Sequence, residues 1–206
     1  MTANKYSDVD QPRSADEAAS VSEALMLESL QSMAAARRAF PPQPIEDYAL
    51  QVPGAPAPRL LSEILGANER LFVIHNMGDG CAHCAVYADG LNGVLPHLES
   101  VGSVLLVAPM APDHLAAYAA SRGWRFQLAS TRGVTLSADL GLEMAGETWP
   151  GTFIVERSKS GLVVSARYVF NPGDHFSPVW PMLALAGIGL DDDDWRPRLS
   201  YSAAAQ

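Results

Sequence analysis

The chain holds two cysteines, and both sit in one short motif, Cys81-Ala82-His83-Cys84. At the start of a helix, residues three apart stand about one turn from each other. Their Cα separation then falls within the roughly 4.4–6.8 Å that a disulfide tolerates. Such a pair closes and reopens with the exchange of two electrons. At the helix N-terminus, unpaired N–H groups and the positive end of the macrodipole stabilise a thiolate on Cys81. A free thiol titrates near ~8.5, and in Cys-x-x-Cys sites it falls to ~3.5–7.5. Cys84, one turn inside, is more buried and keeps its proton longer. The asymmetry assigns Cys81 as the attacking nucleophile and Cys84 as the resolving thiol. His83, between them, can add positive charge beside the thiolate, which stabilises the reduced pair. The same thiols also make half of a zinc or copper site. With no second Cys-x-x-Cys, His75 is the plausible neighbour to help complete such a site, and Met77 another for Cu(I) alone; His75 is also read as a proton acceptor for Cys84 or substrate. Covalent haem attachment needs His directly after the second cysteine, and Ala85 stands there. No organic cofactor is implied, since a thiol pair carries the electrons itself.

The elements that must position these thiols are legible around them. Arg70–His75 and Ser103–Ala108 have nearly continuous apolar centres, the pattern of parallel strands buried on both faces. Between them, 81–100 is long enough for a crossover helix, which gives a right-handed strand–helix–strand unit. On that helix Cys84, Tyr87, Ala88, Leu91, Val94 and Leu95 form one stripe facing the sheet. Gly90 and Gly93 are read as permitting close packing, Pro96 as a kink or end, and Asp89 and Asn92 as a solvated face. Residues 112–122 predict a second helix and 134–142 a short one. Gly151–Glu156 and Leu162–Phe170 predict an antiparallel hairpin, and 178–187 a last helix. His114, beside Asp113, reads as a surface residue, and His175 sits in a loop that could approach the motif. The order strand–helix–strand–helix–strand–strand–helix, with Cys-x-x-Cys after the first core strand, is that of a thioredoxin fold. The fold class is therefore α/β, a central mixed sheet flanked by helices, with an N-terminal helical arm.

Length and charge set the remaining bounds. The 206 residues are 48% apolar types, enough for a real core. Residues 1–13 read as a disordered tail, 14–44 as a helical arm and Pro-rich linker, 45–202 as the thioredoxin-like domain, and 203–206 as a tail. Ser14-x-x-Glu17 has capping-box form, and the arm packs on the domain or serves a homodimer contact. A formal charge of −9 disfavours nucleic acid and anionic membrane surfaces as partners. The polar, acidic first residues lack the apolar stretch of a signal peptide, so the expected location is cytoplasmic. Two cysteines there make no disulfide scaffold.

Thioredoxin folds place a cis-proline just before the late strand, beside the cysteine motif, where its backbone pairs with substrate. Here Pro150, in Trp149-Pro150-Gly151, is the candidate, and Trp149 and Pro150 are the expected substrate-binding pair. With His83 charged, the expected potential is less reducing than the ~−270 mV of thioredoxin itself.

The string Gly80-Cys81-x-x-Cys84-x-x-Tyr87-Ala88-Asp89-Gly90-Leu91-Asn92-Gly93, continuing to Pro96-His97-Leu98, carries a resemblance. So do Ala36-Arg37-Arg38-Ala39-Phe40-Pro41, Asp47-Tyr48, Ala117-Tyr118, Gly123-Trp124, Asn171-Pro172-Gly173-Asp174 and Trp195-x-Pro197-x-x-Ser200-Tyr201. Over about residues 20–202 the chain resembles a bacterial thioredoxin-like family of unknown function, described as a predicted dithiol-disulfide oxidoreductase. That family is related to the alkyl hydroperoxide reductase and thiol-specific antioxidant group. The resemblance implies a disulfide or thiol substrate, protein or small molecule. The chain departs from the pattern twice: the family's usual dipeptide is Pro-Gly or similar, and here it is Ala-His, and the aromatic and Asn/Asp-rich stretch expected before the hairpin is weak in Thr135-Leu-Ser-Ala-Asp-Leu140. Peroxiredoxins carry Thr or Ser three residues before the reactive cysteine, and here that residue is Gly78.

Overall fold

Two apolar runs, Arg70–His75 and Ser103–Ala108, pair in parallel at the centre of the computed structural model, which describes residues 15–39, 41–144, 146–189 and 195–201. In chain order the first elements are α1 (Ala15–Ala39), β1 (Gln43–Ile45), β2 (Ala49–Leu50), β3 (Arg59–Leu60), α2 (Leu61–Leu65) and β4 (Arg70–His75). The crossover follows as α3 (Ala82–Gly93) and α4 (Leu95–Glu99), then β5 (Ser103–Ala108), α5 (Pro112–Ser121) and β6 (Gln127–Ser130). The last are α6 (Leu136–Asp139), β7 (Glu143–Met144), β8 (Glu147–Thr148), β9 (Gly151–Ser158), β10 (Gly161–Val169) and α7 (Val179–Leu185).

The chain divides into two units, Met1–Pro41 and Pro42–Gln206. In the first, α1 is a helix of Ala, Leu, Met and Glu, all strong helix formers. The expected tails at 1–13 and 203–206, the capping residue Ser14 and the acidic run 191–194 lie outside the described residues.

In the second unit a six-stranded sheet runs in the order β1-β10-β9-β4-β5-β6. Strands β4, β5 and β6 are parallel; β9, β10 and β1 continue the sheet antiparallel. Alternation along β4 and β5 sends Leu71, Val73, Leu105 and Val107 into one core with Leu61, Leu136 and Phe153. It sends Ile74, Val104, Leu106 and Ala108 into a second core with Tyr87, Leu115 and Trp124. Both faces are covered, which is why these strands read as unbroken apolar runs. The fold is thioredoxin-like α/β, a mixed sheet flanked by helices.

Several elements differ from the sequence expectation. β6 pairs with β5 as a parallel edge, although Gln127-Leu-Ala-Ser130 carries no strand signal of its own; its state is imposed by its neighbour. The segment expected as a Pro-rich linker contains β1, and Pro44 is tolerated because β1 is an edge strand. The crossover helix ends at Val94, close to the end expected at Pro96, but a second helix restarts at once, with Pro96 in the first turn of α4. Val94 is thereby exposed and leaves the sheet-facing stripe. In β10 the pairing shifts between Val164 and Ala166, so the simple alternation expected there changes face at Ser165.

Candidate active site

Strand β4 delivers the chain to the cysteines through a short fixed turn. Asn76, buried, donates its backbone N–H to Val107 O (2.8 Å), and its Oδ1 accepts from the Gly78 N–H (2.7 Å). Gly78 has φ +116°, a left-handed conformation that a side chain would strain, and Cys81 donates its N–H to Gly78 O (3.3 Å). Asn76 was not singled out from sequence, although Asn two residues before a glycine after a strand is turn chemistry.

The turn sets Cys81 as the N-cap of α3, in extended conformation, with its Sγ accepting the Cys84 N–H (3.1 Å). Cys81 and Cys84 are joined by a disulfide with Cα atoms 5.2 Å apart. Cys81 is half-buried, whereas Cys84 is only 2% exposed. A thiolate on Cys81 would therefore meet one of the helix's unpaired N–H groups and the positive end of its dipole.

His83 lies in the first turn of α3, its ring stacked on Trp180 with centroids 6.2 Å apart. Its Nδ1 is buried, with no hydrogen-bond partner among the described residues. Burial, and after it the nearby Arg196 guanidinium, push its pKa below the usual imidazole value. The ring is thus neutral at neutral pH, without the positive charge expected on it. No sequence pattern links residue 196 to residue 83. Trp180 also meets Trp195 edge-on (5.6 Å) and donates its Nε1–H to the Tyr87 hydroxyl (3.3 Å), which in turn donates to Asn171 O.

His75 stands apart from the thiols. It follows Leu71 and Val73 on the sheet face opposite α3, 1% exposed, with Nε2 2.7 Å from Ser137 Oγ and Nδ1 3.0 Å from Trp149 O. A carbonyl only accepts, so Nδ1 carries the proton and Nε2 accepts from the serine hydroxyl. The proton-acceptor and metal-ligand roles considered for His75 thus give way to two hydrogen bonds that occupy both nitrogens. Burial lowers its pKa from 6.5 to about 4, against the opposing hydrogen bond to Trp149. Between these values the unfolded chain binds a proton that the folded chain refuses, so the stability present above the unfolded pKa is lost as pH falls. Urea titrations should show a loss of about 2–3 kcal/mol between neutral pH and about pH 4.5, much reduced in His75→Asn.

Trp149 and Pro150 lie at the entry to β9, one step beyond the His75–Gly151 pair and therefore at the sheet end from which the cysteine loop departs. No cis peptide bond occurs among the described residues, so Trp149–Pro150 is trans, contrary to the expected cis-proline. Pro150 O accepts from the Phe170 N–H (2.9 Å), and the Phe170 ring stacks on Tyr87 (4.3 Å), three residues along α3 from Cys84.

The motif after the cysteines proves to be the docking surface of α3. Asp89, expected to be solvated, accepts from Trp124 Nε1 (2.7 Å) and from Arg122 Nε (3.1 Å). Asn92 accepts from the Arg125 N–H (2.8 Å) and donates to Gly123 O (3.3 Å). At Gly90 a Cβ would lie 2.9 Å from Pro178, so the glycine does permit close packing; at Gly93 nothing stands within 4 Å, so it does not. His114 pairs with Asp79 on the surface (3.0 Å). The His175 ring packs on Phe176 (4.4 Å) and Tyr168 (5.6 Å). Among the described residues no group of three or more His, Cys, Asp or Glu side chains is arranged to hold a metal.

Among solved structures the chain is similar in fold to peroxiredoxins. The chain is similar to reduced Prx3 of Vibrio vulnificus, with TM-score 0.55, 14% identity, 71% of this chain and 98% of that one covered. It is similar to peroxiredoxin Q of Xanthomonas campestris (TM-score 0.51, 19% identity, 68% and 90% covered). For peroxidoxin BcpB of Mycobacterium tuberculosis the values are 0.53, 17%, 62% and 84%. At such identities the likeness is one of fold. Within that fold class, the chain belongs to the family described as "Bacterial protein of unknown function (DUF899)", whose model matches residues 1–175. No curated protein matches the chain.

Proposed function

We propose that this protein is a thiol-disulfide oxidoreductase working through Cys81 and Cys84. The Cys81 thiolate attacks one sulfur of a substrate disulfide, forming a mixed disulfide and releasing one substrate thiolate. The Cys84 thiol, losing its proton, then attacks Cys81 Sγ and releases the second. Two electrons pass to the substrate, two protons follow them, and the 81–84 disulfide remains. Trp149 and Pro150 are the residues proposed to meet the substrate beside the thiols. The observation that carries the reading is the half-buried Cys81 capping α3, with Cys84 buried one turn behind it, 5.2 Å away.

Removal of the resolving thiol tests it. Cys84→Ser, incubated with a disulfide such as insulin, should accumulate a mixed disulfide through Cys81, visible by mass spectrometry and released by dithiothreitol. A variant that forms no adduct, or forms it at a residue other than Cys81, contradicts the assignment of roles.

A second reading, thiol peroxidase, draws on the fold neighbours. Gly78 offers no hydroxyl at the position where peroxiredoxins carry Thr or Ser, so the disulfide reading is the better supported. Rapid consumption of hydrogen peroxide by the reduced protein would reverse that preference.

A further inference from the structure

We infer that residues 195–201 form a strap coupled to the redox state of the cysteine pair: seated, it keeps His83 covered and uncharged, and thiolate formation at Cys81 loosens it. The inference rests on the proposed oxidoreductase reading and adds regulation of the same site.

The strap carries the motif Trp195-x-Pro197-x-x-Ser200-Tyr201 and lies past residue 175, where the match to the family model ends. It is held at two places along α3. At one end Trp195 meets Trp180 edge-on (5.6 Å), and Trp180 is the ring on which His83 stacks (6.2 Å). At the other, Leu199 O accepts from Arg122 Nη1 (3.0 Å), and Arg122 Nε donates to Asp89 of α3 (3.1 Å). The Arg198 N–H donates to the Tyr201 hydroxyl (3.2 Å), which turns the end of the strap on itself. The seat is shallow. Arg196, Arg198, Leu199, Ser200 and Tyr201 are exposed. A cavity of about 400 Å³ separates Leu199 and Tyr201 from Asp89 and Asn92. With so few buried contacts, a segment lifts at small cost.

Few charged or titratable groups face His83. Its own helix offers Cys81, Cys84 and, one turn on, Tyr87; the strap brings Arg196; α7 carries none. Burial first and Arg196 second disfavour the charged ring. A protonated Nδ1 needs water or an acceptor, and has neither among the described residues. Reduction changes the demand on this ring. A dithiol passes two electrons to the 81–84 disulfide and closes to its own disulfide. Of the two thiols left, Cys81 gives its proton to solvent and becomes a thiolate. A negative charge two residues away favours the imidazolium, which in turn favours a wetted Nδ1 and a departed guanidinium. Lifting the strap meets both demands. The coupling is reciprocal: release favours the thiolate by the factor with which the thiolate favours release. It is largest near about pH 6, where an ordinary imidazole takes up its proton, and fades toward about pH 8.

Trp195 is thus a positioning residue, and the experiment reads it through His83 in the full chain. Cys81 alkylation by iodoacetamide is followed against pH in the Cys84→Ser background, with Trp195→Ala, Trp195→Phe, His83→Gln and the Trp195→Ala/His83→Gln pair. Trp195→Ala should raise the rate about threefold near about pH 6 and leave it nearly unchanged at about pH 8. Trp195→Phe, which keeps an aromatic edge on Trp180, should stay within about 1.5-fold of its parent. In the His83→Gln background Trp195→Ala should have no effect. The reciprocal arm uses wild type, oxidised or pre-reduced and freed of reductant under argon. A pulse of trypsin at about pH 6.5 should release residues 199–206 about threefold faster from the reduced form, and His83→Gln should abolish the difference.

Should Trp195→Ala not fold, the trypsin comparison carries the test alone. An alkylation gain that persists in His83→Gln, or is equal at both pH values, overturns the inference and leaves the oxidoreductase reading standing. Equal cleavage of the oxidised and reduced forms does the same. A Cys84→Ser protein that forms no adduct with insulin overturns the reading and the inference together.

Discussion

Cys81→Ser should lose disulfide-reducing activity by on the order of a thousandfold or more while keeping its fold. A serine hydroxyl is not ionised at neutral pH and does not attack a disulfide, so nothing at the head of α3 replaces the lost thiolate. Cys84 offers no rescue: it is 2% exposed and one turn inside the helix, where an incoming disulfide cannot align with it. The fold should survive because serine is itself a good N-cap and its Oγ can accept the Cys84 N–H that now goes to Cys81 Sγ. Insulin turnover with dithiothreitol and a urea titration, run on the same preparation, check both halves. Retention of a tenth or more of wild-type turnover would contradict the assignment of Cys81 as nucleophile.

Gly151→Ala should be the most damaging of the conservative substitutions, costing about 3 kcal/mol. An added Cβ would lie 2.5 Å from Tyr168 O and 3.0 Å from Leu142 Cδ2. Tyr168 O is backbone of β10, and Gly151 is paired on both sides, with Val169 and with His75, so neither neighbour can give way without opening the sheet. The glycine is required by the close approach of β10. It also begins the strand that follows Trp149–Pro150, so relaxation of β9 would displace the proposed substrate segment. Gly93→Ala is the matched control: nothing stands within 4 Å of its added methyl, and alanine favours the helix. It should be neutral or stabilising by up to about 1 kcal/mol. Urea midpoints read both; a loss below about 1 kcal/mol for Gly151→Ala would contradict the steric account.

The sequence made the centre of the fold plain because physics there is local. Arg70–His75 and Ser103–Ala108 are buried on both faces, so apolarity alone marks them, with the same bounds in the structure. A cysteine pair followed by a helical stripe likewise announces its own helix start. What depends on distant partners was not legible. Asp89 reads as solvated until Arg122 and Trp124 fold against it. His83 reads as a cation until Trp180 covers it and Arg196 approaches. β6 is a strand because β5 offers it an edge. His75 is the instructive case, since its distance from α3 was readable: it shares parity with Leu71 and Val73, and a strand sends such residues to one face.

The reduction potential of the 81–84 pair tests the central claim most directly. The protein would be equilibrated in graded glutathione buffers, the thiols blocked, and the oxidised fraction read by mass. A redox-active pair with its first sulfur at the head of α3 predicts a reversible two-electron transition, less reducing than about −270 mV. A transition below about −300 mV, the range of disulfides that only brace a structure, would contradict it.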